Sequence, residues 1–231
     1  MTTLISALDV PEMETALTMV DKFGEEVQWY KVGKQIFTKF GPEIVRSLKS
    51  RGKKVFLDLK FHDIPNTVAQ AIRSAASIGA DIVNVHASGG PAMLTAAAQA
   101  ARETGVTVIA VTVLTSLDEN ELRAIGLQAT PAEQVVRLAK LTKDCGLAGV
   151  VCSPKEITLV REACGRDFLT VVPGIRPAGA AAGDQKRIMT PAEAAKAGAD
   201  YIVVGRPILQ AEDPQGAARA VNAELAAALA S

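Results

Sequence analysis

The chain has 231 residues, of which 48% are hydrophobic and only 4% are aromatic. It is therefore long enough to bury a large core, built mainly from aliphatic side chains. Its 25 lysine and arginine residues are matched by 25 aspartate and glutamate residues. A balanced charge gives no general attraction to nucleic acid or to an anionic membrane, so we expect neither as a partner.

The cysteines and the first residues of the chain indicate its compartment. Cys145, Cys152 and Cys164 are odd in number and lack the paired spacing of a zinc site, which favours free thiols in a reducing cytoplasm. The chain reaches Asp9 without a basic start, unlike an ordinary signal peptide. No apolar run approaches the roughly 20 residues of a membrane helix. The sequence therefore predicts a soluble cytoplasmic protein.

Short apolar strands and amphipathic helices alternate along the chain. Strands are predicted over residues 4–8, 27–32, 55–60, 81–86, 106–113, 148–152, 168–172 and 201–204. Helices, most of which open at a proline, are predicted over residues 11–23, 36–48, 65–78, 91–103, 131–141, 154–163, 191–198 and from 214 onward. Residues 114–130 are predicted to be a polar connection, and the small residues of 178–184 a mobile loop.

This alternation indicates the fold. Mostly continuous apolar strands, each followed by a helix, are typical of a parallel sheet that is covered on its outer side. At this length, eight such units predict a single (β/α)₈ barrel, the TIM-barrel fold, with residues 1–231 as one domain. A doubly wound open sheet is the alternative. It is weaker because no Gly-x-Gly-x-x-Gly motif follows the first strand to bind a dinucleotide.

The segment VFLDLKFHDIPNT, residues 55–67, carries the first candidate site. Alternation along a strand sends Phe56, Asp58 and Lys60 to one face, so a buried strand ends in two opposite charges. An isolated Asp-x-Lys pair is more often a salt bridge at the rim of a sheet. In a barrel, however, the carboxyl ends of all strands meet in one mouth. That geometry brings together Asp9, Lys31, Asp58, Lys60 and His86.

Buried charges need partners, because removing an ion from water costs several kcal/mol. An alternating set of lysines and aspartates supplies those partners. It also holds a lysine rigidly, as a proton donor requires.

A second candidate site follows strands seven and eight. Barrels commonly bind phosphate there, through backbone N–H groups and a nearby basic side chain. The planar guanidinium group of arginine can donate hydrogen bonds to two phosphate oxygens at once, and glycine lets the backbone approach the phosphate closely. The residues of this kind are Arg176, Gln185, Gly205 and Arg206. Hydroxyls at the end of strand five offer contacts to a planar polar ligand, from Thr112, Thr115 and Ser116.

Taken together, the motifs at these positions resemble those of the orotidine 5′-monophosphate decarboxylase family, in its bacterial branch. The most specific is DLKFHDIPNT at residues 58–67. The others are ALD at 7–9, KVG at 31–33, NVHASGG at 84–90, VTVLTS at 111–116, PGIRP at 173–177, GDQKR at 183–187 and VVGRPI at 203–208. They span nearly the whole chain in the family's order, and no motif position departs from the family's pattern.

The resemblance implies a homodimer of barrels that converts orotidine 5′-monophosphate to UMP and CO₂, in pyrimidine biosynthesis, with no metal or organic cofactor. The catalytic network that it implies consists of Lys31, Asp58, Lys60 and Asp63. The residues that it assigns to the dimer interface, for the partner's site, are Asp63, Ile64 and Thr67. The other contacts that it implies are Asp9 and Lys31 at the ribose, Thr115 near the pyrimidine, and Arg176, Gln185, Gly205 and Arg206 at the phosphate, under the 178–184 loop.

The residue types make chemical sense of that reaction. Loss of CO₂ from C6 leaves a vinyl-type carbanion that the ring cannot delocalise well, and the sequence offers neither metal nor imine chemistry as a sink. Stabilisation must then be electrostatic, from a preorganised ammonium group, and Lys60 is the candidate that also protonates C6. Asp58, beside the departing carboxylate, is placed to disfavour the bound ground state.

Two other functions stay open. Sugar-phosphate decarboxylases and hexulose-phosphate synthases of the same barrel group keep an Asp-x-Lys pair, but act with Mg²⁺ on acyclic substrates. The complete DLKFHDIPNT motif and the Thr115 region favour the nucleotide instead. A non-catalytic phosphate-binding barrel is the alternative from another class. The presence of both Asp58 and Lys60 disfavours it.

Overall fold

The computed structural model describes residues 2–177 and 189–230. Within them, the strands are β1 (Thr3–Ala7), β2 (Trp29–Gly33), β3 (Lys54–Phe61), β4 (Ile82–His86), β5 (Thr107–Val111), β6 (Gly149–Val151), β7 (Leu169–Val172) and β8 (Tyr201–Val204). They follow one another around a closed parallel barrel, which β1 and β8 complete through pairs such as Ile5 with Val203. The predicted (β/α)₈ barrel is confirmed.

Helices cover the outside of the barrel. In the described part of the chain they are α1 (Met13–Phe23), α2 (Lys34–Phe40), α3 (Glu43–Ser50), α4 (Pro65–Ser77), α5 (Gly90–Thr104), α6 (Glu119–Ala124), α7 (Pro131–Asp144), α8 (Ile157–Cys164), α9 (Pro191–Ala197), α10 (Arg206–Leu209) and α11 (Pro214–Ala230). Short 3₁₀ turns occupy Gly24–Glu26, Ala87–Gly89 and Pro154–Glu156. Most bounds agree with the sequence-based prediction within a few residues.

The single helix predicted over residues 36–48 is wrong, because the structure divides it into α2 and α3. Gly41 ends α2 with a φ of 57°, in the left-handed region that favours glycine, and its N–H donates to the carbonyl of Phe37. Pro42 follows and has no N–H with which to continue the helical hydrogen bonds.

The connection over residues 114–130 is not wholly irregular, since it contains α6. The Asp118 carboxylate accepts the backbone N–H groups of Asn120 and Glu121, and the Glu121 carboxylate accepts the N–H of Asp118. This capping box is a recognised start signal. The helix is only six residues long and buries one side chain, Leu122, so its apolar periodicity is too short to predict it.

Side chains alternate between two apolar layers along each strand. Outward-facing residues such as Val55 and Leu57 pack beneath the helices. The inward-facing layer consists of Ile5, Ala7, Phe56, Ile82, Ile109, Val171 and Val203. Phe56 therefore lies on the inner face, as strand alternation predicts. The next inward residue of β3, toward its carboxyl end, is Asp58.

A cluster of hydrogen-bonded charged residues lies at the amino-terminal end of the barrel. Asp81 accepts hydrogen bonds from Lys49 Nζ at 2.7 Å, from Lys54 Nζ at 3.1 Å and from the backbone N–H of Val55 at 2.8 Å. Burial by itself would raise the pKa of Asp81, but these hydrogen bonds hold it below its ordinary value. The cluster lies at the end of the barrel that is usually concerned with stability.

Two sequence-based expectations concern mobility and membranes. The segment predicted to be a mobile loop, residues 178–184, lies outside the described residues. In the described ranges on either side, Ile175 pairs with Met189 through an isolated bridge. No helix in the part of the chain that the structure describes has the length and apolarity of a membrane span.

Candidate active site

A cavity of about 520 Å³ opens at the carboxyl ends of the strands. Small-molecule sites have volumes of this order, roughly 300–1,000 Å³. Its floor includes the apolar side chains of Phe56, Val171 and Val203. The charged side chains that line it are Asp9, Lys31, Asp58, Lys60, Arg176 and Arg206. Strand topology thus collects in one place residues that are far apart in the sequence.

Four charged side chains form a row along one wall, on β2, on β3 and just after the end of β1. Lys31 Nζ lies 2.8 Å from Asp9 Oδ1 and 3.5 Å from Asp58 Oδ2. Lys60 Nζ donates to Asp58 Oδ1 at 2.5 Å. The row Asp9, Lys31, Asp58, Lys60 alternates in sign, as the sequence predicts.

Burial and charge oppose each other at the centre of this row. Burial by itself would lower the pKa of Lys31, but the carboxylates of Asp58 and Asp9 raise it above its ordinary value. Burial would likewise raise the pKa of Asp58, but the ammonium groups of Lys31 and Lys60 hold it below its ordinary value. Lys31 and Asp58 are therefore both charged at neutral pH, although their side chains are only 11% and 12% exposed.

Lys60 has an irregular backbone. Its φ is 56°, and among the described residues no other non-glycine has a positive φ. The register between β3 and β4 shifts between Leu57 and Phe61, as in a β-bulge. Strand alternation predicts the correct face for Lys60, but it does not predict this bulge. Bulges at barrel rims redirect side chains, and here the Lys60 ammonium meets the carboxylate of Asp58.

Asn84 connects the two charged residues of β3 from the neighbouring β4. Its Oδ1 accepts the backbone N–H of Lys60 at 2.8 Å, and its Nδ2 donates to Asp58 Oδ1 at 2.7 Å. The residue is 1% exposed and does not line the cavity. Sequence analysis placed Asn84 on the fourth strand but missed this contact. The available signal was an amide within an otherwise apolar strand.

Basic side chains enter the cavity after β7 and β8. Arg176 is 8% exposed, and its Nη1 donates to the carbonyl of Ile175 at 2.9 Å. Arg206 is exposed and follows Gly205. A Cβ on Gly205 would stand 3.4 Å from that of Ala7, so the absent side chain keeps this part of the mouth open. Gln185, the other residue predicted for this group, lies outside the described residues.

The threonines predicted after β5 have different surroundings. Thr115 lines the cavity, in the loop that follows the strand. Thr112 instead donates its hydroxyl to the carbonyl of Val151 at 2.8 Å, on the neighbouring strand. Of the two, Thr115 is therefore the one placed to meet a ligand.

His86 does not line the cavity, although sequence analysis grouped it with the charged residues of the mouth. Its ring packs against that of His62, with 5.4 Å between the centroids. Burial, followed by the charges of His62 and Lys60, lowers the pKa of His86 to about 4. The imidazole is therefore neutral at physiological pH and adds no charge to the row.

The three residues that the resemblance assigns to a partner's site lie outside this chain's own cavity. Asp63 and Ile64 follow β3, and Thr67 belongs to the first turn of α4. All three are exposed, and Ile64 is 67% exposed, which is high for a large aliphatic residue. The Asp63 carboxylate accepts the backbone N–H of Ile64 at 2.7 Å. In the ranges that the structure describes, no group of three or more His, Cys, Asp or Glu side chains could hold a metal ion.

Together, these features define a (β/α)₈ barrel with a ligand cavity and a buried charged row at the end where such barrels carry their active sites. Comparison with known proteins narrows this class. The model of the Orotidine 5'-phosphate decarboxylase / HUMPS family matches residues 2–221. The chain belongs to this family, as the motifs indicated.

Relatives of the chain are similar over nearly their whole length. A protein of Moorella thermoacetica named orotidine 5'-phosphate decarboxylase is 53% identical over 230 residues, which cover 96% of this chain and 91% of that protein. One of the same name from Vibrio campbellii is 52% identical over 226 residues, covering 96% and 97%.

Solved structures share the fold of this chain. The crystal structure of orotidine 5'-phosphate decarboxylase from Lactobacillus acidophilus has a TM-score of 0.86 at 38% identity, covering 96% of this chain and 98% of that one. An uncharacterised conserved protein from Geobacillus kaustophilus has a TM-score of 0.85 at 39% identity, covering 96% and 99%.

Proposed function

We infer that this protein decarboxylates orotidine 5′-monophosphate to UMP and CO₂, a reaction of pyrimidine biosynthesis. The family match and the two relatives above 50% identity support this activity. In the structure, the observation that carries it is the buried row of alternating charges ending in Lys60, on the wall of a cavity that is also lined by two arginines.

The role that we propose for Lys60 is to stabilise and then protonate C6 of the pyrimidine. Loss of CO₂ leaves an electron pair in the plane of the ring, where it gains little from delocalisation. An ammonium group beside C6 stabilises that charge most if it is oriented before the reaction begins. The hydrogen bond of 2.5 Å to Asp58 supports such preorganisation. The same ammonium group then supplies the proton that completes UMP.

Asp58, Lys31 and Asp9 would support this step. Asp58 orients Lys60, and Lys31 keeps Asp58 ionised by placing a second ammonium group 3.5 Å away. Asp9 is 55% exposed at the other end of the row, so it is accessible to a ligand. We therefore propose that Asp9 and Lys31 hold the ribose hydroxyls. Thr115, across the cavity mouth, is proposed to contact the pyrimidine.

For the phosphate we propose Arg176, Gly205, Arg206 and Gln185. The first three line the same cavity. Arginine suits the role because its fork makes two charge-assisted hydrogen bonds with phosphate oxygens. Contacts so far from C6 accelerate the reaction only if their binding energy organises the site around the pyrimidine.

We also propose that the active unit is a homodimer in which Asp63, Ile64 and Thr67 reach the partner's site. Their exposure, and their position outside this chain's own cavity, support the proposal. Mixing two inactive variants tests it. Lys60→Ala and Asp63→Ala would form heterodimers that contain one intact site if Asp63 acts across the interface.

Random reassociation makes half of the dimers heterodimers, so about a quarter of the wild-type activity should return. No recovery after verified subunit exchange would contradict a contribution from the partner. We also propose that the chain is a single domain and that it is cytoplasmic, and the free thiols of Cys145 and Cys164 support that location.

The decisive experiment follows the ultraviolet absorbance of orotidine 5′-monophosphate with purified protein in EDTA, beside Lys60→Ala. Conversion to UMP by the wild type, abolished in a variant with an unchanged circular dichroism spectrum, would support both the activity and the role of Lys60. No conversion by folded wild-type protein would contradict the assignment. A sugar phosphate with Mg²⁺ would then be the next substrate to test.

A further inference from the structure

The backbone of Lys60 needs an explanation that the reaction alone does not supply. A non-glycine residue with φ near +56° is strained, and lysine is not among the residue types that are enriched there. Such conformations persist only where their surroundings hold them in place. The bulge in β3 also removes the regular pairing that would otherwise satisfy the Lys60 N–H.

Asn84 supplies the missing support. Its side-chain oxygen accepts the Lys60 N–H at 2.8 Å, while its NH₂ group donates to the Asp58 carboxylate at 2.7 Å. The two partners determine the orientation of the amide, because a backbone N–H can only donate and an ionised carboxylate can only accept. One buried amide therefore touches both the strained backbone and the carboxylate that binds the Lys60 ammonium.

We propose that Asn84 is a positioning residue for the decarboxylation inferred above, and that it directs the Lys60 ammonium toward C6 by holding the Lys60 backbone and the Asp58 carboxylate together. It acts through these two residues and not on the substrate, since it is 1% exposed and does not line the cavity. The proposal rests on the proposed function and adds to it a residue beneath the site.

No apolar side chain can replace this amide. Leucine has a similar size but would leave the partly buried Lys60 N–H without its acceptor, and it would remove one donor from Asp58. The backbone would then relax away from the left-handed conformation, and the ammonium group would move with it. A displacement of about 1 Å at a reacting group can cost roughly 100-fold in rate.

The test compares Asn84→Ala and Asn84→Leu with the wild type, measuring kcat and KM for orotidine 5′-monophosphate and the Kd of UMP. Asn84→Leu retains the packing, so it remains informative where Asn84→Ala folds poorly. Thr142→Val is the matched control. It also removes a buried hydrogen bond, from Thr142 Oγ1 to the carbonyl of Leu138 at 2.7 Å, but on the outer helix α7.

We expect both Asn84 variants to lose about 100-fold in kcat, with KM and the Kd of UMP unchanged, because the arginines proposed for the phosphate follow β7 and β8, away from Asn84 on β4. Thr142→Val should have a lower melting temperature and the wild-type kcat. Wild-type kcat in both Asn84 variants would overturn the proposal. So would a loss of UMP affinity as large as the loss of kcat, which would indicate general damage. An inactive wild type would instead overturn the function on which the proposal rests.

Discussion

Asp58→Asn removes the charge that two ammonium groups share at the centre of the row. The Asp58 side chain is 12% exposed and lies 2.5 Å from Lys60 Nζ and 3.5 Å from Lys31 Nζ. Removing one partner of a buried ion pair costs on the order of 3–5 kcal/mol, because the remaining charge is left uncompensated. The new amide still offers an oxygen to Lys60. We therefore expect the lower end of that range, about 3 kcal/mol of the free energy of unfolding at pH 7.

Asp9→Asn is the matched control, since it makes the same chemical change in the same row. Asp9 is 55% exposed and contacts one ammonium group, Lys31 Nζ, at 2.8 Å. Exposed ion pairs contribute roughly 0.2–1 kcal/mol. The difference between the two variants thus reports the combined effect of burial and of the second ammonium partner of Asp58.

The pH dependence gives a second criterion for Asp58→Asn. The pKa of Asp58 lies below its ordinary value of 3.8. A carboxylate of this kind contributes its full stability above its unfolded-state pKa and loses it as the pH falls through the lower folded-state pKa. The stability difference between the wild type and Asp58→Asn should therefore be the same at pH 7 and pH 5.

The assay is urea unfolding followed by circular dichroism, at one fixed protomer concentration, for the wild type and both variants. The same preparations are tested for decarboxylation, where Asp58→Asn should be strongly impaired. Equal stability of Asp58→Asn and the wild type at pH 7 would refute the reasoning. A difference that already shrinks between pH 7 and pH 5 would also refute it.

Three further predictions follow from other parts of the molecule. Asp81→Asn should lose about 2 kcal/mol of unfolding free energy, because its two lysine partners lose a carboxylate, and should retain the wild-type kcat; a reduced kcat in folded protein would contradict its structural role. His86→Gln should remove a group whose protonation in the unfolded chain destabilises the fold at acid pH. Folding holds the pKa of His86 at about 4 instead of 6.5, so the wild type loses stability below pH 6.5 as the unfolded chain gains the proton. These two pKa values correspond to about 2 kcal/mol between pH 7 and pH 5, and solvent screening of the partly exposed ring reduces this. The variant should therefore gain about 1 kcal/mol relative to the wild type over that range, measured by urea unfolding; no relative gain would contradict this. Arg206→Ala should lose more than about 100-fold in kcat/KM for orotidine 5′-monophosphate, with part of the loss in kcat; a change confined to KM would argue against a role of phosphate binding in organising the site.

The sequence by itself determined the barrel and most of its charged cavity. Eight apolar strands, each followed by a helix, can bury both faces of a parallel sheet only within a few architectures, and the chain length selects the closed one. Once the barrel is inferred, Asp9, Lys31, Asp58 and Lys60 must meet, because each stands at the carboxyl end of a neighbouring strand. The starts of most helices could also be predicted from the sequence, because capping residues and prolines set a helix start through contacts with residues nearby in the chain.

Only the tertiary structure decided how these charges are held. Asn84 is 24 residues from Lys60 and 26 residues from Asp58, and a bulge leaves no periodic signal by which that pairing could be predicted. The same limit applies to His86, which alternation places on the inner face but which packs against His62. The pKa values of Lys31 and Asp58 depend on the balance between burial and neighbouring charges, and that balance exists only when the strands are packed side by side.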